Sequence, residues 1–286
     1  MIHVLITGAN GQLASCIKDL ATNYPNINFI YTDYLELDIC NFNQLNTFFQ
    51  ENNPIDYCIN CAAYTHVDKA ETDAEKTFQI NVEGPKNIAK VCALNNTTLI
   101  HISTDFVFDG QQSKPYNELD KANPISVYGE TKLKGEIEIQ TNTNAYFIIR
   151  TSWLYSEYGN NFMKTMLCLA ESHNEINVVN DQIGTPTYAG DLAQVILKLI
   201  TENNKSYGIY HYSNEGIASW HDFAKAIFDI SKITIKVNSI KTEAYPLPAK
   251  RPKFSVMDKT KIVETIKINI PYWRDSLKKT LKKYNE

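Results

Sequence analysis

Arginine is almost missing from this chain. Of 286 residues only Arg150, Arg251 and Arg274 are arginines, and Lys and Arg together number 28 against 32 Asp and Glu. The formal net charge is −4 and the isoelectric point about 5.9. Such a balance offers no basic face and excludes a general nucleic-acid binder. No run of about 18 apolar residues exists, so no transmembrane helix and no membrane partner is expected. Met1 leads directly into Ile2-His3-Val4-Leu5-Ile6, a strand pattern, without a basic segment followed by a cleavable apolar one. On that ground the protein is expected in the cytoplasm. Internal repeats and low-complexity tracts are absent. Among the six cysteines, Cys58 and Cys61 form one C-x-x-C, but no second pair stands at zinc spacing. Alternation along a strand would point those two thiols to opposite faces. Buried, reduced thiols are expected, and no metal site.

What remains is an ordinary globular composition, 43% hydrophobic and 21% charged. The length suits one large α/β domain or two smaller ones. Apolar strands alternate with helical periodicity through the first half: strands at 2–7, 28–32, 56–61, 98–103 and 146–151, and helices at 11–22, 41–51, 74–94 and 126–140. That order predicts an α/β fold with a doubly wound parallel sheet. Beyond Trp153 the order loosens. Helices are expected at 162–172, 188–201, 220–230, 258–265 and 273–284, with short strands at 176–179 and 208–212. The expected layout is a nucleotide-binding domain over 1–155, to which 187–215 returns. A smaller interleaved part, 156–186 and 216–286, is expected to hold the substrate.

Thr7-Gly8-Ala9-Asn10-Gly11-Gln12-Leu13-Ala14 follows the first strand and opens the first helix. A phosphate-binding turn needs this context: Gly8 for a tight turn, Gly11 for close backbone approach, and helix N–H groups from Gln12 and Leu13 for a pyrophosphate. The third glycine of the strong dinucleotide pattern is replaced by Ala14, a mild change where a small side chain must pack on the sheet. Asp33 ends the second strand, where a carboxylate accepts hydrogen bonds from ribose hydroxyls and favours NADH. No arginine stands near it for a 2′-phosphate. Asp38 and Ile39 follow, placed to flank the adenine.

Tyr128-Gly129-Glu130-Thr131-Lys132 lies in the helix expected over 126–140, whose apolar positions Val127, Leu133, Ile137 and Ile139 suggest one buried face. Residues four apart share a helix face, so a phenol and an ammonium would project together. A nearby ammonium favours phenolate and lowers the tyrosine pKa, which suits proton transfer near neutral pH. Taken alone, the pair reads more readily as a half-buried tyrosine beside a solvated lysine.

In order and spacing, Gly8-x-x-Gly11, Asn60-Cys61-Ala62-Ala63, Asn81-Val82-Glu83-Gly84-Pro85, Ser103-Thr104-Asp105 and Tyr128-x-x-x-Lys132 resemble the extended short-chain dehydrogenase/reductase family. The segments 63–71, 103–110 and 181–187, together with Arg150-Thr151-Ser152-Trp153 and Arg251-Pro252, narrow this to members that reduce dTDP-linked 4-keto sugars. Phe106, Lys253-Phe254 and Ala14 depart from the pattern. Related dehydratases resemble Thr-Asp-Glu where this chain has Thr104-Asp105-Phe106, so plain ketone reduction is the simpler reading.

The resemblance implies reduction of the 4-keto group of dTDP-4-dehydro-L-rhamnose to dTDP-L-rhamnose by hydride from NADPH or NADH, in nucleotide-sugar synthesis. It implies Tyr128 as proton donor, Lys132 as its partner and holder of the nicotinamide ribose, and Thr104 as hydrogen-bond donor to the ketone. Ala62, Ala63 and Tyr64 would line the cofactor. Asp105, Trp153 and Arg251 would meet the substrate, Arg251 at the diphosphate because its planar fork suits phosphate. Arg150 and His101 read as structural. The resemblance also permits a homodimer and a Mg²⁺ ion, though no carboxylate cluster in the sequence demands the ion. A non-catalytic cofactor-binding subunit and a reductase or epimerase of another nucleotide sugar stay open.

Overall fold

The computed structural model describes residues 1–285. Six parallel strands form the central sheet: β1 (Ile2–Thr7), β2 (Ile27–Thr32), β3 (Tyr57–Asn60), β4 (Thr98–Thr104), β5 (Tyr146–Thr151) and, far later in the chain, β10 (Gly208–His211), in the order β10-β5-β4-β3-β1-β2. The expected α/β fold with a doubly wound parallel sheet is therefore the one observed, and the strand at 208 joins it.

Between these strands run α1 (Gln12–Leu20), α2 (Phe42–Glu51), α3 (Val67–Ala70), α4 (Ala74–Phe78), α5 (Gly84–Leu94) and α6 (Val127–Asn142). After β5 come β6 (Leu154–Tyr155), α7 (Phe162–Ser172), β7 (Glu175–Val179), β8 (Ile183–Gly184), β9 (Thr187–Tyr188) and α8 (Ala189–Thr201). The chain past β10 forms β11 (Ala218–Ser219), α9 (Trp220–Ser231), β12 (Lys236–Ile240), α10 (Thr260–Ile266) and α11 (Trp273–Tyr284).

Strand alternation sorts the core into two layers. Val4, Ile6, Ile59, Ile100 and Ile149 face α1, α8 and α10. Leu5, Cys58, Leu99 and Ile148 face α2, α5 and α6. A further apolar cluster, built on Tyr155, Met163, Ile176, Phe223, Trp273 and Leu277, gathers α7, α9 and α11. There β7 pairs in parallel with β12, a strand without a clear sequence signal because Lys236-Val237-Asn238-Ser239-Ile240 is half exposed. The start of α9 carries a capping box, Ser219 with Asp222.

Two helix expectations are corrected. The single helix expected over 74–94 is divided: α4 and α5 are joined by a π-turn at Gln79–Glu83. Pro85 in the first turn of α5 has no N–H to donate, so the regular ladder cannot run through it. The carbonyl of Asn81 instead faces Gly135 so closely that a Cβ there would stand 2.2 Å away. In α6 the buried face is not the apolar one. Gly129, Thr131, Lys132, Gly135, Glu136 and Ile139 are buried, while Ile137 is 52% exposed. The small residues admit neighbouring backbone, and the charged ones are paired inside.

Candidate active site

In a doubly wound sheet the crevice opens at the carboxyl ends of the strands, where strand order reverses. Here that point lies between β1 and β3, and Thr7, Asn60, Thr104 and Thr151 end β1, β3, β4 and β5 along one edge.

The turn after β1 is built to accept an anion. Gly8 takes φ +69°, and a Cβ on it would stand 2.7 Å from the backbone nitrogen of Ala62. Only glycine combines this left-handed backbone with that contact. Gly11 N–H donates to the Gly8 carbonyl at 3.0 Å. Gly11 is also the N-cap of α1, and no side chain caps the helix and no acidic residue sits in its first turn. Those first-turn N–H groups, the left-handed turn and the close approach of Ala62 fit the diphosphate of a dinucleotide.

Other expected cofactor residues are placed more specifically than the sequence allowed. Asp33 accepts hydrogen bonds from the N–H groups of Asn10 (2.8 Å) and Tyr34 (2.7 Å), tying the turn to β2. The Gln12 side chain turns away, accepting from Ser156 and from Asn161 at 2.9 Å, and Leu13 is buried in the core. Their offer to a ligand is therefore backbone N–H. Asp38 accepts from Cys40 N–H at 2.9 Å. The Ile39 side chain is buried under Gly84, in the core rather than beside a ligand. Ala62 and Ala63 are half-buried after β3. Tyr64 points its hydroxyl at Asp73, and its backbone N–H donates to Asn81 at 2.8 Å.

Thr104, Asp105, Tyr128 and Lys132 come together. Ser126 caps α6 by accepting from Gly129 N–H, and Glu71 accepts from Val127 N–H at 2.9 Å. Glu71 is thus a helix-end partner for the Tyr128 segment. At Gly129 a Cβ would lie 2.2 Å from the Phe106 carbonyl, so α6 can sit this close to the β4 end only with glycine there. The Tyr128 hydroxyl faces the Thr104 hydroxyl, which itself donates to Asp105 Oδ1 at 3.1 Å. Phe106 meets the Tyr128 ring edge to face at 5.6 Å.

The expected lowering of the Tyr128 pKa does not hold. Burial pushes it up to about 12, with Asp105 adding in the same direction and the Thr104 hydroxyl opposing. The Lys132 amine is engaged elsewhere, donating to the Ile102 carbonyl at 2.7 Å and lying 3.3 Å from His101 Nε2. Burial lowers Lys132 itself to about 8. Asp105 is buried, and desolvation raises its carboxyl to about 6 against hydrogen bonds from Ser255 and Thr104. Its Oδ2 has no partner.

A cavity of about 750 Å³ is lined in part by Asp109 and Ile125, which follow β4 and precede α6, and by Met166, Gln182, Trp220 and Arg251. Arg251 is pinned by Asp68, with Nη2–Oδ2 at 2.7 Å and Nη1–Oδ1 at 3.1 Å, and Nη1 also donates to the Ala249 carbonyl. That pair holds the Asp68 carboxyl below the usual range. Trp153 takes φ +47° and stacks on Trp220 with ring centroids 3.6 Å apart. Arg150 is structural, as expected, in a buried pair with Glu136. His66 packs edge-on against Tyr64. Among the described residues no group of three His, Cys, Asp or Glu is placed to hold a metal ion, and no helix is long and apolar enough to cross a membrane.

A family model described as RmlD substrate binding domain matches residues 2–286. The chain belongs to this family. A dTDP-4-dehydrorhamnose reductase of Aggregatibacter actinomycetemcomitans is 41% identical over 288 residues, covering 97% of this chain and 98% of that protein. The crystal structure of a dTDP-4-dehydrorhamnose reductase from Clostridium acetobutylicum superposes with a TM-score of 0.95 at 44% identity, over all of both chains. One from Bacillus anthracis, crystallised in complex with NADP, gives 0.95 at 40% identity and covers 99% of this chain and 100% of its own. The oxidoreductase assignment, the nucleotide-sugar setting and NAD(P)H as cofactor rest on these relatives of full length.

Proposed function

We propose that this chain reduces the 4-keto group of dTDP-4-dehydro-L-rhamnose to dTDP-L-rhamnose, with Tyr128, Thr104 and Lys132 as its catalytic residues. The observation that carries this reading is the close seating of the Tyr128 turn of α6 on the end of β4, which brings Tyr128 to Thr104 and Asp105 one helical turn before Lys132. When bound, reduced nicotinamide supplies the hydride.

The residues of the chain do the rest. Gly8 and Gly11 with the first N–H groups of α1 take the diphosphate of the cofactor. Asp33, already fixed by Asn10 and Tyr34, presents its carboxylate toward the adenosine ribose. Thr104 and Tyr128 aim at one oxygen, and the two donors orient the ketone for attack. Tyr128 gives its hydroxyl proton to that oxygen as the alkoxide forms. A phenol raised to about 12 holds its proton until such a basic oxygen appears. Phe106 seals one side of the tyrosine ring against water. Asp105 offers its unpartnered Oδ2 to a sugar hydroxyl.

The substrate's nucleotide end belongs in the cavity that Arg251 lines. Two N–H groups of Arg251 point beyond the Asp68 and Ala249 contacts, enough for a phosphate oxygen pair. Trp220, backed by Trp153, supplies an apolar wall. The same reading gives 1–155 and 187–215 to the cofactor, and 156–186 and 216–286 to the substrate. It also places the protein in the cytoplasm, in keeping with six free cysteines.

A non-catalytic binding subunit would not need Tyr128 and Thr104 brought together, and an epimerase would return its cofactor unchanged. Purified protein given NADPH or NADH and the 4-keto sugar nucleotide separates the readings. One cofactor oxidised per dTDP-L-rhamnose formed supports the proposal. Conversion without net oxidation, or none at all, overturns it.

A further inference from the structure

His101 lies in the middle of β4, wholly buried, and the sequence suggests nothing beyond core packing for it. Its two ring nitrogens are nevertheless both occupied. Nδ1 is 3.0 Å from the Asn60 amide nitrogen, and Nε2 is 3.3 Å from Lys132 Nζ. Donor and acceptor roles along this row can be worked out from one end. Asn60 Oδ1 accepts from the Thr7 hydroxyl at 2.8 Å and from the Ala62 N–H at 3.1 Å. The Ala62 N–H can only donate, so the Asn60 side chain cannot be flipped. Its NH₂ group therefore faces His101, and Nδ1 must accept.

Burial keeps the imidazole neutral, holding its pKa well below the usual value. A neutral ring with a bare Nδ1 carries its proton on Nε2. That proton points at Lys132. An ammonium has three donors and no lone pair, so the charged lysine would set N–H against N–H there. A neutral amine accepts from Nε2–H, donates to the Ile102 carbonyl at 2.7 Å, and keeps one N–H for a ligand hydroxyl.

We infer that Asn60 and His101 form a positioning pair that fixes the Nε2–H tautomer and thereby favours Lys132 as a neutral amine in the protein without cofactor. The inference rests on the reading of Lys132 as a site residue. The other titratable groups facing the amine are Cys61, just after β3, and Glu136, one turn along α6. Glu136 is neutralised by Arg150 on β5. Burial alone already brings Lys132 down to about 8, and the tautomer conflict acts in the same direction. The charge one helical turn from Tyr128 is then set by pH close to neutrality, and the two residues that set it touch neither substrate nor reacting atom.

The test uses the whole protein labelled with ¹⁵N-histidine and ¹³C-lysine, without substrate or cofactor. Long-range ¹H–¹⁵N spectra are expected to show His101 protonated at Nε2 and bare at Nδ1. The Lys132 Cε resonance is expected to titrate below pH 8. In His101→Gln the glutamine carbonyl can accept from an ammonium, so the Lys132 midpoint should rise by at least one pH unit, a tenfold change in proton affinity. A proton on Nδ1, or a Lys132 midpoint that His101→Gln leaves in place, overturns the inference. Should that variant not fold, the tautomer of the unmodified protein still decides. Neither signal depends on a ketone being reduced, so failure of the reductase reading would show in turnover and leave these spectra as they are.

Discussion

Glu136 and Arg150 meet inside the protein, with Oε2 2.7 Å from Nη2 and the two side chains 0% and 4% exposed. The pair joins α6, which carries Tyr128 and Lys132, to β5 at the edge of the site. Glu136 also accepts from the Ser103 hydroxyl, and the Arg150 guanidinium lies 5.2 Å from the Phe108 ring centre. A buried ion pair adds little net stability over an apolar pair, but losing one partner strands the other charge. Glu136→Gln should therefore destabilise by about 3–5 kcal/mol. Glu136→Leu with Arg150→Met should recover most of that loss. Urea unfolding of the three proteins checks this; a loss under about 1 kcal/mol in the single variant would show that the pair is solvated.

Asp105 carries a second prediction, with a definite sign in pH. Its folded pKa is raised from 3.8 to about 6 by burial. Between those values the folded protein keeps a proton that the unfolded chain has lost, so stability falls as pH rises through that window. Above pH 6 the cost is complete, on the order of 3 kcal/mol. Asp105→Asn keeps an acceptor for Thr104 and Ser255 without the charge. Its melting temperature should exceed that of the unmodified protein at pH 8, with the gain gone by pH 4. Turnover should drop, because the oxygen offered to the sugar becomes an amide. A melting difference independent of pH would contradict the account.

Much of this was legible in the sequence, and the losses have physical reasons. Strands such as Ile2–Thr7 and helices such as Trp273–Tyr284 announce themselves by period and end signals. The spacing of Tyr128 and Lys132 placed both on α6, and their order after Gly8, Asp33 and Thr104 put them at one sheet edge. Period could not reveal the face of α6, because the buried polar groups there find their partners on other strands, Glu136 in Arg150 and Lys132 in His101 and the Ile102 carbonyl. The π-turn at Gln79–Glu83 follows from Pro85, which apolar period does not register, and its freed Asn81 carbonyl faces Gly135. The sequence offered Arg251 for a phosphate but not its partner Asp68, which stands 183 residues earlier. The direction of the Tyr128 pKa was misjudged because burial, which helical spacing does not report, raises it. Helical spacing brings Lys132 to the right face, and tertiary hydrogen bonds then turn its amine toward Ile102 and His101.

The central claim is that Tyr128 delivers the proton to the reduced ketone, and a single-turnover experiment with Tyr128→Phe tests it most directly. The phenyl ring keeps the edge contact with Phe106 and removes only the hydroxyl. Cofactor binding, followed by fluorescence, should stay within about twofold of the unmodified protein. The rate of NAD(P)H oxidation by bound 4-keto sugar nucleotide should fall by about 10²–10⁴. Reduction by Tyr128→Phe at the unmodified rate would contradict the account.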